Sequence, residues 1–326
     1  MGENKRIRFP WGFLRLAVSF LSLAFVACIF RDKLPLVLTS LNNISIILFV
    51  ASLIVFVGVI ACNALRLANF LHFHKIPIPF INVFNSNLLA LFVNIFLPSS
   101  LGGETVKAFY LHKISGHRNE VFGLVILDRF FGLLCLVALS CTALVLYGPA
   151  SLPISIRNTI YVMSVIASMV VVFLIHPGIA RVIEQVIQTK LLIPLMKYLK
   201  VSFSSMQLCQ YGFRSLFMAL LLSFGAQFFY ISNYYLLSIS LGIDLPLVFF
   251  VFFVPVNIIT GLIPSINGLG IREIAYLFYA TEYISAEDAL ALSLLSSSTL
   301  ILVGCIGGVL YLLIGKCLPE KCSFSD

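Results

Sequence analysis

Charge is what this sequence has least of. Only 10 % of its 326 residues are Asp, Glu, Lys or Arg, while 60 % are hydrophobic and the mean hydropathy is +1.07. A soluble globule carries about a quarter charged residues, so this shortage excludes one and makes lipid the solvent. Signatures of chemistry are scarce too. No Gly-x-x-x-x-Gly-Lys-Ser/Thr loop is present, which argues against ATP bound at a P-loop as an energy source. No Gly-x-Ser-x-Gly elbow, no His-Glu-x-x-His pair and no polar loop long enough for a soluble donor site appear either. The eight cysteines make no framework: Cys62, Cys135, Cys141 and Cys305 fall in apolar stretches, and Cys317 and Cys322 have no histidine at zinc spacing. His72 and His74 read as interfacial loop residues. No metal, cofactor or nucleic-acid partner is expected.

Six apolar stretches approach the roughly 20 residues that cross a bilayer: 11–30, 44–65, 121–147, 158–175, 215–240 and 289–315. The first follows Lys5, Arg6 and Arg8 without a small-x-small cleavage site and is expected to stay as an anchor. Two further segments, 76–114 and 244–280, are apolar limbs broken by Pro, Ser and Gly. The breaks read Leu97-Pro98-Ser99-Ser100-Leu101-Gly102-Gly103-Glu104 and Ile263-Pro264-Ser265-Ile266-Asn267-Gly268-Leu269-Gly270. In each, a tyrosine, Tyr110 or Tyr276, follows the proline by twelve residues. The order of elements around them also recurs, which predicts an internal repeat: repeat one over 11–147 and repeat two over 158–315 within a single membrane domain, 1–326. A second limb of about 12 residues reaches only about 18 Å, too short to span, so both broken segments are expected to be re-entrant hairpins.

Basic residues test that topology, because short cytoplasmic loops collect them. With both termini inside and both hairpins returning to their own side, sixteen of the 21 Lys and Arg, Arg66 and Lys107 among them, fall on the cytoplasmic face. Arg31, Lys33 and Arg157 fall outside. Three spans per half invert the second half relative to the first, so the hairpins enter from opposite faces. The expected fold is all-α and polytopic, with two inverted repeats of three spans and one hairpin each. Residues 179–200 read as an interfacial amphipathic helix. Gly304 and Gly308 form a small-xxx-small pair that usually means close helix packing, a dimer seam being the alternative.

Five ionisable residues fall within the expected core: Glu104, Asp128, Arg129, Arg272 and Glu273, with Lys107 one turn past Glu104. Each would cost about 2.5–3.5 kcal/mol at mid-membrane if unrelieved, so they must pair or be wet. Pairing alone, for example Glu104 with Arg272 or Asp128 with Lys107, would make them purely structural. Glu104 and Arg272, however, sit at the starts of the second limbs, where free N–H groups and the helix dipole favour an anion. Arg129 and Arg272, helped by Lys107, are therefore the candidate phosphate ligands. Glu104, Asp128 and Glu273 are candidates to bind hydroxyls or an amine, or to exchange a proton. Ser99, Ser100, Ser265 and Asn267 suit helix capping, and Gly102, Gly103, Gly268 and Gly270 allow close backbone approach.

Asn94-Ile95-Phe96-Leu97-Pro98 through Gly102-Gly103-Glu104 and Lys107, then Leu127-Asp128-Arg129-Phe130, then Gly268-Leu269-Gly270-Ile271-Arg272-Glu273-Ile274-Ala275, resemble the lysylphosphatidylglycerol synthase transmembrane family of flippase-like membrane domains. The resemblance covers almost the whole chain and adds Asn94 to the candidate site. Lys107 stands where the family commonly has Arg, Asp128 where it has Glu, and Asn267 where Gly is common. The resemblance implies a membrane domain without the soluble synthase domain, acting on lipids with polar headgroups. The expected function is a flippase of the bacterial cytoplasmic membrane. Its substrate would be a membrane lipid with a phosphate and a sugar or amine headgroup, with a lipid-modifying synthase or transferase as the further partner. An intramembrane transferase using Glu104 or Asp128 as general base, and a non-catalytic partner of a synthase, are the rivals. The sequence leaves the oligomeric state undetermined.

Overall fold

The computed structural model describes residues 44–96, 100–147, isolated helical positions between 154 and 168, then 213–260, 271–281 and 283–314. The expected span 11–30, the amphipathic helix 179–200 and most of 158–175 lie outside the described residues. All regular structure among the described residues is helical: α1 (Ile46–Phe73), α2 (Phe80–Phe96), α3 (Ser100–Ser115), α4 (Arg118–Tyr147), α5 (Phe213–Ser240), α6 (Leu247–Thr260), α7 (Ile271–Ala280) and α8 (Ala286–Ile314). Four of these, α1, α4, α5 and α8, contain apolar stretches long enough to cross a membrane. The exposed residues of α1 include Ile46, Val50, Ile54 and Val57, those of α5 Phe213, Phe217, Leu221, Phe224 and Phe228, those of α8 Leu302, Ile306 and Val309. Spaced three or four apart, they form apolar stripes that water would not tolerate and lipid tails would.

The two broken segments fold back on themselves. Gly103 of α3 touches Ala90 and Asn94 of α2, and farther from the break Lys107 reaches Asn87, so the limbs run antiparallel. In the second segment the rings of Phe253 and Tyr276 lie 4.6 Å apart and those of Phe249 and Tyr283 5.0 Å apart, again antiparallel. The limbs have 17 and 16 residues in the first segment and 14 and 10 in the second. At 1.5 Å per residue none exceeds about 26 Å, short of a hydrocarbon core of about 30 Å.

At the centre, α1 and α5 pack antiparallel along their whole length. Ser45 N–H donates to the Ser240 carbonyl at 2.9 Å, Asn233 Nδ2 to the Ser52 carbonyl at 2.8 Å, and Asn69 Nδ2 to the Ser215 carbonyl at 2.9 Å. One apolar cluster gathers Leu67, Phe70 and Leu71 of α1 with Val83, Leu111 and Leu124, around the first hairpin. Another gathers Tyr234 and Leu237 of α5 with Phe250, Phe253, Tyr276 and Leu292, around the second. Because the central pair is antiparallel, these clusters sit toward opposite ends of it, and between them Phe56, Val59 and Ile60 of α1 form a smaller cluster with Leu88, Leu300 and Val303, against which Phe229 and Tyr230 of α5 pack.

Gly304, Gly307 and Gly308 of α8 face α2. A Cβ at Gly307 would stand 2.7 Å from the Leu88 carbonyl oxygen, and one at Gly308 2.4 Å from the Phe92 ring. The small-residue stripe is thus an internal seam and not a dimer contact.

Helices α1 and α5 end alike. Ile76 N–H returns to the Leu71 carbonyl and Lys75 N–H to His72; Ile243 N–H returns to Ser238 and Gly242 N–H to Ile239. Both are Schellman turns needing a left-handed residue. It is Gly242 at φ 74° in one, but Lys75 at φ 57° in the other. A side chain in that region costs about 1–2 kcal/mol, and Lys75 is exposed with nothing to repay it. Lys75→Gly is expected to raise stability by about 1 kcal/mol, read as a higher unfolding temperature in detergent; an unchanged or lower temperature would refute the strain.

Candidate functional site

The start of α3 is built on α2. Gly103 N–H donates to Asn94 Oδ1 at 2.8 Å, and a Cβ on residue 103 would lie 2.3 Å from the Ala90 carbonyl oxygen, so only glycine allows this approach. Asn94 therefore satisfies one of the free N–H groups of the first turn. Glu104 and Lys107, three residues apart on α3, are then presented to α4, where consecutive residues point about 100° apart and send Asp128 and Arg129 in different directions.

Charges alternate through this region. Arg66 Nε donates to Asp128 Oδ1 at 2.6 Å; Lys107 Nζ lies 3.9 Å from Asp128 Oδ2 and 2.8 Å from Glu104 Oε2; Glu104 Oε1 accepts from Arg129. Arg66 also donates to Ser223 Oγ at 2.9 Å and Asn63 Oδ1 at 3.0 Å, and Lys107 to Asn87 Oδ1 at 3.2 Å. The row is buried at one end and open at the other: the side chains of Arg66, Asp128 and Lys107 are 3 %, 2 % and 0 % exposed, Glu104 is 12 % and Arg129 is 54 %. Three cations against two carboxylates leave one positive charge in excess, and it emerges at Arg129. That guanidinium opens into a cleft of about 100 Å³ lined by Asn63, Asn87, Asn94 and Tyr230 together with apolar residues of α1, α2 and α8.

The Tyr230 hydroxyl is within electrostatic reach of both Arg129 and Arg272. Arg272 stands in the first turn of α7, and its Nε and Nη1 are buried without a hydrogen-bond partner among the described residues. Its neighbour Glu273 is 1 % exposed and accepts from Ser293 Oγ at 3.3 Å. Tyr276 is fully buried and reaches Ser296 Oγ at 3.2 Å, and Tyr110 packs against the apolar cluster around the first hairpin; neither repeated tyrosine lines the cleft. Ser100 opens α3 and Gly102 lies in its first turn. Ser99, Ser265, Asn267, Gly268 and Gly270 lie outside the described residues.

Of the expected pairs, Asp128 with Lys107 forms and Glu104 with Arg272 does not, since Arg129 and Lys107 occupy Glu104. Two basic residues read as cytoplasmic loop markers, Arg66 and Lys107, are interior: each is 2 % exposed or less. Arg66 lies inside the span because α1 runs eight residues past 65, to Phe73. Lys107, expected to hold phosphate, is instead enclosed by Glu104, Asp128 and Asn87, where it neutralises carboxylates. The signal for Arg66 was the apolar run that continues through Leu67, Ala68, Phe70 and Leu71, with Asn63 and Asn69 three residues to either side on the same helical face. Nothing local marks Tyr230, which owes its place to the packing of α5 on α1.

The family model for the lysylphosphatidylglycerol synthase TM region matches residues 12–308. No curated protein and no solved structure matches the chain.

Proposed function

The chain belongs to the lysylphosphatidylglycerol synthase transmembrane-region family, and on that premise we propose that it is a flippase for an anionic, phosphate-bearing lipid with a polar sugar or amine headgroup. The observation that carries the reading is Arg272, a cation with two buried nitrogens and no partner among the described residues. Leaving a buried charge unpaired costs several kcal/mol, which an anionic ligand would recover. Arg129, exposed in the cleft, and the first turn of α7 would share the phosphate. Glu104 would leave Arg129 as the phosphate arrives and keep Lys107.

Alternating access needs two halves that exchange roles, and the reading takes these to be inverted repeats with re-entrant hairpins. In support, Lys75 and Gly242 occupy matching turns 167 residues apart, as do Pro79 and Pro246, whose carbonyls each accept from the residue three on. The contacts of the antiparallel pair α1 and α5 also map onto themselves at that spacing: Gly58 meets Phe229 where Gly225 meets Cys62. Limbs too short to cross support hairpins that return to the side they entered. With Arg66 and Lys107 removed, fourteen basic residues still fall on the proposed cytoplasmic face against three outside. The proposed setting is the bacterial cytoplasmic membrane, with a lipid-modifying synthase or transferase supplying the substrate.

Reconstitution in liposomes tests the reading. Headgroup accessibility is followed for phosphoglycolipids and aminoacylated phospholipids with wild type, Arg272→Ala and Glu104→Gln. The expected result is one lipid becoming accessible across the bilayer unchanged in mass, with both folded variants reduced to the protein-free rate. A change in lipid mass would replace the flippase with a transferase. Wild-type rates in both variants would make the charges structural.

A further inference from the structure

The cleft is polarised in a way that bears on the headgroup. Three carboxamides line it, and each has its oxygen committed to a donor within the protein. Asn63 Oδ1 accepts from Arg66, Asn87 Oδ1 from Lys107, and Asn94 Oδ1 from the Gly103 N–H. Those donors have no acceptor capacity, so they fix which end of each amide is oxygen. Asn87 spends its amide nitrogen on the Val83 carbonyl at 3.0 Å. The amide nitrogens of Asn63 and Asn94 make no such bond among the described residues and remain open in the cleft. With the Arg129 guanidinium, they make a wall of donors. The carboxylates lie behind it: Asp128 is enclosed by Arg66 and Lys107, and Glu104 is clamped between Lys107 and Arg129.

We propose, resting on the flippase reading, that this cleft takes an acceptor-rich headgroup, an anionic phosphate carrying uncharged hydroxyls, and discriminates against the ammonium of an aminoacylated lipid. An ammonium is donor-only. In the cleft it meets Arg129, where the one excess positive charge emerges, and two open amide N–H groups, with no lining carboxylate to receive it. A phosphate accepts from all three groups, and a hydroxyl accepts from an amide while donating to the Tyr230 oxygen. The apolar remainder of the lining, including Phe56, Ile60 and Leu91, suits a sugar or polyol ring face better than a flexible charged chain.

The test is lipid binding to the full chain in nanodiscs of phosphatidylcholine, with phosphatidylinositol and lysylphosphatidylglycerol as competing probes. Wild type is expected to favour phosphatidylinositol by about tenfold or more. Asn94→Asp keeps the oxygen that caps Gly103 and replaces the open amide donor with a carboxylate oxygen, and it is expected to erase most of that preference. If wild type binds lysylphosphatidylglycerol equally or more tightly, the inference is overturned while the flippase reading stands. The inference is also overturned if Asn94→Asp keeps the wild-type preference while folded. Absence of saturable binding by either lipid, together with absence of translocation in liposomes, would overturn both.

Discussion

Arg66→Ala is expected to destabilise the protein by about 3–5 kcal/mol, far more than the loss of any other single cation along the α1–α4 contact. Arg66 is the inner end of the charge row, 2 % exposed, and joins three helices by bonding Asp128 on α4, Ser223 on α5 and Asn63 on α1. Its removal leaves Asp128 with only Lys107, at 3.9 Å, and opens a void against Gly132, whose Cβ position is 3.3 Å from Nη2. Arg66→Lys keeps the charge but cannot reach both Asp128 and Ser223, and should recover only part of the loss. Arg129→Ala gives the contrast. That side chain is 54 % exposed with Glu104 as its ion-pair partner, so its loss should change stability by about 1 kcal/mol or less while abolishing translocation. Detergent unfolding temperatures beside liposome translocation rates separate the two. Equal destabilisation by Arg66→Ala and Arg129→Ala would show that the row is one structural unit with no functional end.

The sequence pattern carried the fold further than the site, for a physical reason. Long apolar runs and Pro-Gly breaks are local, and α4, α5 and α8 begin and end within a few residues of the expected bounds. The broken segments were legible because a proline followed by glycines ends a helix wherever it stands. The matching turns at Lys75 and Gly242 were hidden because only one carries glycine. Partner choice among buried charges was not legible. The rule that reads basic residues as loop markers depends on their being solvated, and it fails for a basic residue that finds a carboxylate inside the bundle, as Arg66 finds Asp128 across 62 positions. The candidates Glu104, Lys107, Asp128 and Arg129 were found by their cost in lipid, yet which of them faces the cleft follows from the packing of α3 on α2 and of α4 on α1.

Gly103→Ala should have the opposite sign from the same substitution at Gly225. Both glycines lie within helices, where alanine is ordinarily preferred by about 1 kcal/mol. At Gly225 the added methyl meets Cys62 Sγ at 3.5 Å, an ordinary contact, so Gly225→Ala is expected to be neutral or stabilising by up to about 1 kcal/mol. At Gly103 it meets the Ala90 carbonyl oxygen at 2.3 Å and Asn94 Oδ1 at 2.5 Å. Backbone cannot rotate away as a side chain can, so the limbs of the first hairpin must part by about an ångström or α3 must begin later. Either response breaks the Asn94 cap and strains the Lys107 bond to Asn87, for an expected loss of about 2–4 kcal/mol. Because Glu104 follows directly, it also moves the carboxylate that holds Arg129, and translocation should fall with stability. The two measurements are a thermal unfolding midpoint for each variant and its liposome rate. If Gly103→Ala matched Gly225→Ala in both, the limbs of the first hairpin would not meet at Gly103, and the cleft built on that contact would be wrong.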